Sequence, residues 1–250
     1  MKRFQYPIIN TIVLIVTLFV NYWSNTGVIN GQTIALISQK NENLFTPAGY
    51  AFAIWGFIYL ALIALVVYQW VLAVKENSEP LKQIGYYLAL ANILNAAWVL
   101  IWLYEYLLFS VGVMISILIT LTVLSSQLSK WSTTMGNFWL VKFPIFLYQG
   151  WIIVALVANV STFLTSVGFE MAFSESVWAV VLLLIAGVVY IYETFKLRQV
   201  ISVLVGIWGL VAVGYKQISI SEMVGVTAFV VSGVMFLIVI FSVFKKSLHF

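Results

Sequence analysis

The chain has 250 residues, of which 63% are hydrophobic and 8% charged, whereas a soluble domain is roughly half apolar and about one-quarter charged. That composition excludes a water-soluble globular fold, and the absence of Cys excludes disulfides and thiolate metal sites. The net charge of +4 comes from 12 Lys and Arg scattered through short connections, not gathered in the stripes that grip nucleic acid, so membrane lipid and no nucleic acid is the expected surrounding.

The N-terminus, Met1-Lys2-Arg3 followed by an apolar run, opens like a signal peptide. No small-x-small cleavage pattern follows before Asn21-Tyr22-Trp23, so a retained first helix is expected. Apolar segments then run over 7–24, 47–74, 81–103, 107–128, 139–165, 176–195, 199–215 and 222–244, each near the length of helix that crosses a hydrocarbon core, about 20 residues. They lack the alternation of barrel strands, and in lipid only helices and closed barrels satisfy every backbone group. The expected fold is an all-α polytopic membrane protein of about eight transmembrane helices. The seventh segment is the shortest and holds Gly206, Gly209 and Gly214.

Positive charge follows the cytoplasmic side of membrane proteins. With eight crossings one side collects Lys2, Arg3, Lys75, Lys82, Lys130, Lys142, Lys196, Arg198, Lys245 and Lys246, and the other only Lys40 and Lys216. A missed helix would scramble that division, so it supports the count and places both termini in the cytoplasm of a multi-pass protein, here expected in a bacterial inner membrane. The external connection 25–46 is the longest and is rich in Asn, Gln, Ser and Gly, as functional loops often are. The linker 75–80 reads as a polar hairpin.

In the second segment Thr46 and Pro47 are placed to cap and start a helix, which puts Trp55 about 12 Å below its start, beneath the interfacial aromatic belt. Phe52, Trp55 and Tyr59 share a face by their spacing. The third segment carries Asn92, Asn95, Trp98 and Trp102, the last three on one face, and the fifth carries Tyr148, Trp151 and Asn159. Packing between helices explains an aromatic stripe, and an interhelical hydrogen bond explains a buried amide. Three helices that each present aromatic and amide groups at mid-depth also make an apolar, flat-walled, sparsely polar cleft, as small-molecule sites are. Glu105, Glu193 and Lys142 stand near helix ends and read as interfacial charges. No ionisable group stands at mid-membrane, which argues against an ion-coupled transporter, and no buried Lys offers a Schiff base. No catalytic residue, metal or cofactor is expected: the only His, His249, lies next to the chain end.

Three of these motifs together, Pro47-x-x-Tyr50-x-Phe52-x-x-Trp55-x-x-x-Tyr59, Asn95-x-x-Trp98, and Tyr148-x-x-Trp151 followed eight residues later by Asn159, resemble the tryptophan-rich sensory protein or translocator protein (TspO/MBR) family. The resemblance covers about 1–168, and it implies a five-helix bundle, often dimeric, that binds porphyrins and other hydrophobic ligands in a cavity beneath the first loop. On that reading 1–168 is the TspO-like bundle and 169–250 adds three transmembrane helices. The ligand-binding residues it implies, with the aromatic neighbours added, are Pro47, Tyr50, Phe52, Trp55, Tyr59, Asn95, Trp98, Trp102, Tyr148, Trp151 and Asn159. Thr46 replaces the first of two family prolines, Gly49 stands where the family usually has Trp, and Pro144 is one turn earlier than the family proline. The first loop holds no Trp, the feature to which oxidative porphyrin breakdown in some members is linked.

The leading functional expectation is a membrane receptor, carrier or sensor for a hydrophobic, porphyrin-like ligand. The alternative is a membrane enzyme that modifies or degrades such a ligand, by light- or oxygen-driven chemistry because acid–base groups are scarce. Trp208, Gly206 and Gly209 would serve close helix approach in a C-terminal scaffold.

Overall fold

A computed structural model of the protein describes residues 2–169 and 174–244. Lys245 and Lys246, two of the ten cations assigned to one side, and the lone His249 lie outside the described residues. The regular structure among the described residues is all helical, with no strand. Seven helical spans among them are long and apolar enough to cross a bilayer, and an eighth apolar helix is shorter. The chain is therefore a multi-pass, all-helical membrane protein, as its hydropathy requires.

The elements are α1 (Lys2–Ser24), α2 (Ile34–Lys40), a 3-10 turn (Gly49–Ala53) running into α3 (Ile54–Val74), α4 (Glu79–Ile84), α5 (Tyr87–Leu103) and α6 (Leu107–Lys130). There follow α7 (Met135–Asn137), a π-turn (Phe138–Lys142), α8 (Phe143–Ser166), α9 (Glu175–Tyr192), a second π-turn (Glu193–Leu197), α10 (Val200–Gln217) and α11 (Glu222–Phe244). The shorter apolar helix is α5, 17 residues or about 25 Å of helix. It is short because Gly85, at φ +54°, breaks the expected segment 81–103 into α4 and α5; a positive φ costs a residue without Cβ little. Pro80 lies in the first turn of α4, where its missing N–H is no loss.

The second segment departs from expectation at its start. Thr46 does not cap a helix: its hydroxyl accepts from the Asn43 N–H at 3.2 Å, and the helical span opens at Gly49 as a 3-10 turn. The polar side chain is spent within the loop, so the first orphan N–H groups of the helix are left to other partners.

By packing, the chain falls into two units: Met1–Ile37 with Trp55–Gln149, and Ser38–Ile54 with Gly150–Phe250. In the first, α5 packs against α1 and α6, and α4 touches both of these. Buried amides tie α1 to α3 and to α5. Asn10 donates to Gln69 Oε1 at 2.9 Å, Thr17 Oγ1 to the Asn92 carbonyl at 2.9 Å, and Asn21 to Asn95 Oδ1 at 3.0 Å. Lipid offers helices no hydrophobic drive to associate, so such bonds and close packing must hold them. At one end of the unit Phe4, Tyr6 and Tyr68 pack on Leu72, Ala73 and Leu81.

In the second unit α10 is the central helix, and its glycines let three helices reach its backbone. A Cβ on Gly206 would stand 2.4 Å from the Tyr190 ring of α9, one on Gly209 2.7 Å from Val154 of α8, and one on Gly214 2.9 Å from Phe229 of α11. Close approach through small residues is a common way to pack helices in membranes. The second half of the first loop is part of this unit. The Ala48 N–H donates to the Ala212 carbonyl at 3.0 Å, and Gln217 Nε2 donates to the carbonyls of Thr46 and Asn43 at 3.0 and 3.4 Å. Ser161 donates to Asn43 Oδ1 at 2.8 Å, and Lys216 pairs with Glu42.

Candidate ligand-binding site

In the first unit an aromatic and amide group forms from α1, α3, α5 and the beginning of α8. Trp55 stacks on Tyr59, one turn along α3, with ring centres 5.4 Å apart and planes at 25°. Tyr148 meets Trp55 edge-on at 6.0 Å. The Tyr148 hydroxyl faces the Asn95 side chain without closing a hydrogen bond. Asn95 is buried and accepts from Asn21, so its Oδ1 is engaged while its Nδ2 donor is left over. Along α5, Trp98 and Trp102 lie side by side at 5.4 Å, and the Trp102 indole N–H donates to the Ile34 carbonyl at 3.3 Å. With Asn30, whose amide donates to the Leu103 carbonyl at 2.9 Å, that bond anchors the first half of the loop to the end of α5.

The arithmetic of donors is what gives this group chemical character. The Tyr59 and Tyr148 hydroxyls and Asn95 Nδ2 are buried without a hydrogen-bond partner, and both polar atoms of the fully buried Asn92 amide are in the same condition. Most buried polar atoms in folded proteins are paired with protein or water, and leaving one unpaired costs about 1–3 kcal/mol. Three of these donors stand beside the flat faces of Trp55 and its neighbours. An aromatic or conjugated molecule bearing an acceptor such as a carbonyl or carboxylate would satisfy them.

The other expected residues lie in the second unit. Phe52 meets Trp151 edge-on at 5.9 Å, and Trp151 is buried. Tyr50 is exposed and sits edge-on to Trp208 at 5.2 Å, with Tyr215 6.1 Å away. Pro47 is buried between the two loop residues that bond to α10, and Asn159 is buried on α8. The spacing that aligns Phe52 with Trp55 and Tyr59 is that of an α-helix. Phe52 sits instead in the 3-10 turn, where the angle per residue is larger.

Several polar residues matter that the spacing argument passed over. Asn10, Thr17 and Asn21 lie on one face of α1, and that spacing in an apolar helix is itself the sign of polar partners on α3 and α5. Trp208 does more than permit close packing: its indole N–H donates to the Ala51 carbonyl at 3.3 Å, holding the 3-10 turn. Two of the charges read as interfacial are buried. Glu193 is 3% exposed and accepts from the Ser202 hydroxyl of α10, and Lys142 is 8% exposed and donates to the Trp131 carbonyl at 2.6 Å. Both sit in π-turns, whose widened backbone turns a helix-end residue inward. No group of three metal-ligating side chains occurs among the described residues.

No curated protein and no solved structure matches the chain. The family described as TSPO-like protein matches over residues 7–241. That span runs past Gly168 and takes in α9 and α10 and nearly all of α11, so the last three helices fall within the match as well as the five-helix unit whose motifs stand on α3, α5 and α8. On a match of that extent, the chain belongs to the TSPO-like protein family.

Proposed function

We propose that the protein is a membrane receptor, carrier or sensor for a planar or elongated hydrophobic ligand, of which a tetrapyrrole is the model case. The family is one generally associated with hydrophobic ligands. The observation that carries the reading is the buried set of unpartnered donors, Tyr59, Tyr148 and Asn95, beside the Trp55 ring, with the Trp98–Trp102 pair farther along the helix that bears Asn95. Aromatic walls supply contact area at low entropy cost, and the donors would orient the ligand's acceptor group. Pro47, Tyr50, Phe52, Trp151 and Asn159 form a second aromatic group in their own unit and are proposed as ligand contacts in their own right.

Titrating the protein in detergent with protoporphyrin while following tryptophan fluorescence tests the proposal. Saturable quenching that weakens in Asn95→Ala and in Trp151→Ala supports it. Quenching equal in wild type and both variants overturns it. Removing 176–250 and repeating the titration tests the assignment of binding to 1–168 and of an added role to 169–250.

The charge distribution supports a topology with both termini in the cytoplasm and the 25–46 loop outside, in a bacterial inner membrane, and the family likeness supports a homodimer. The chain has no Cys, so single cysteines placed at Asn25 and Asn77 report the topology cleanly with an impermeant thiol reagent. Labelling of Asn25→Cys but not Asn77→Cys in intact cells is expected. The reverse pattern overturns the orientation, and crosslinking that yields only monomer overturns the dimer.

A further inference from the structure

A cavity of about 450 Å³ opens in the second unit, between the ends of α8 and α9 and the loop residue Leu44. It is separate in composition from the aromatic group of the first unit and shares no residue with the eleven expected ligand contacts. Leu44, Leu164, Ala179 and Leu182 make an apolar lining. Phe169 and Trp178 contribute two aromatic rings whose centres are 5.8 Å apart, inclined at 57°. Among the described residues one ionisable group lines it: Glu175, at the start of α9.

The Glu175 carboxylate is only partly used. Its Oε1 accepts from the Leu44 N–H at 3.1 Å, and it forms no ion pair among the described residues. A carboxylate has about four lone-pair positions, so most of its accepting capacity is open. Among the described residues no Lys or Arg lines the cavity. Lys216, in the last turn of α10, is paired with Glu42. Among the described residues the lining therefore combines the Glu175 carboxylate, two aromatic rings and a greasy floor.

We infer that this cavity is a second binding site, and that its ligand is an amphiphilic organic cation: an alkylammonium head at Glu175 and the Phe169–Trp178 pair, with an apolar tail along Leu44, Leu164 and Leu182. Ring faces attract cations through their quadrupole, most strongly for Trp, and alkylammonium groups, which shed water easily, are the cations such aromatic sites favour. The carboxylate adds charge complementarity, and the volume falls in the range of small-molecule sites, about 300–1,000 Å³. An anionic or strongly hydrated head would lose its water without recompense here. The head could be that of a soluble ammonium compound or of a choline-type lipid, which share this chemistry.

The test uses the full chain in maltoside micelles and calorimetry with three probes: hexyltrimethylammonium, tetramethylammonium and hexanol. Hexyltrimethylammonium is expected to bind at least about tenfold more tightly than hexanol, and Glu175→Gln to remove that advantage while leaving hexanol unchanged. Trp178→Leu, which keeps apolar bulk but removes the ring, should weaken the ammonium probe several-fold. Glu175→Gln is exposed and nearly isosteric, and an unchanged melting temperature confirms that it folds. Tetramethylammonium is expected to bind much more weakly than the hexyl probe, and equal binding of the two overturns the role of the apolar tail. A short-chain phosphocholine lipid that competes with the hexyl probe identifies the lipid source. Equal affinity for hexyltrimethylammonium and hexanol, or an ammonium affinity that survives Glu175→Gln, overturns the proposal. Porphyrin titration is a separate measurement on other residues, so the two readings fail independently.

Discussion

Tyr190 donates its hydroxyl hydrogen to the carbonyl oxygen of Gly150 across 2.6 Å, and the two residues are forty apart in the chain. The bond links α9 to α8 at a point where a Cβ on Gly150 would lie 2.6 Å from the Ser202 carbonyl oxygen of α10. Three helices thus meet around one glycine. The Tyr190 ring fills the space that Gly206 leaves on α10, so the phenol is held at both ends.

Gly206→Leu puts a branched side chain where the Tyr190 ring already stands, and overpacking of this kind typically costs about 1–3 kcal/mol. The variant should melt several degrees lower in detergent. Tyr190→Phe keeps the ring and removes only the hydroxyl, a loss of about 1 kcal/mol or less. A Tyr190→Phe variant that is the less stable of the two would contradict this ordering.

Ser202→Ala removes the hydroxyl that donates to the buried Glu193 carboxylate. Losing a donor to a buried acceptor costs about 1–3 kcal/mol, and a lowered thermal midpoint is the expected reading. Glu193→Gln retains an oxygen acceptor for the same hydroxyl and should be milder. Equal midpoints for wild type and Ser202→Ala would mean that the hydroxyl contributes nothing.

Gln217 donates to two loop carbonyls and is buried against them. In Gln217→Leu those carbonyls at Asn43 and Thr46 lose their side-chain partner. Amide exchange over 43–48 should speed up several-fold, while the helix interiors stay protected. Exchange unchanged in that stretch would show that the Ala48 to Ala212 bond holds the loop without help.

Asn21→Leu takes the partner from Asn95 Oδ1 and leaves the Asn95 amide without a bond on either atom. A modest loss of stability, about 1 kcal/mol, is expected. Freed to turn, the Asn95 amide should also hold ligand less well, so protoporphyrin quenching should shift to higher concentration by several-fold. An affinity equal to wild type would detach Asn21 from the site.

The apolar helices, seven long enough to cross a bilayer and the shorter α5, were legible in the chain because each depends on a local sum. A run of about 20 apolar residues has one stable solution in lipid, and no distant contact is needed to reach it. The motifs on α3, α5 and α8 were legible for a related reason: residues three and four apart share a helix face whatever lies opposite. Trp55, Tyr59 and Tyr148 meet, and Asn95 faces Tyr148, as that rule allows.

What only the tertiary structure decided is what each face meets, and where a helix departs from ideal geometry. Helix spacing cannot tell that Phe52 falls in a 3-10 turn, or that π-turns swing Glu193 and Lys142 inward from helix ends. Nor does composition tell that the loop is divided, with Ile34 bonded to α5 and Asn43 and Thr46 bonded to α10. The same limit hid the cavity at Glu175, whose lining comes from 44, 161–169 and 174–182. Hydropathy is a property of one segment, whereas a hydrogen bond or a cavity belongs to residues from 40 to 174 positions apart, and only the packed helices bring those together.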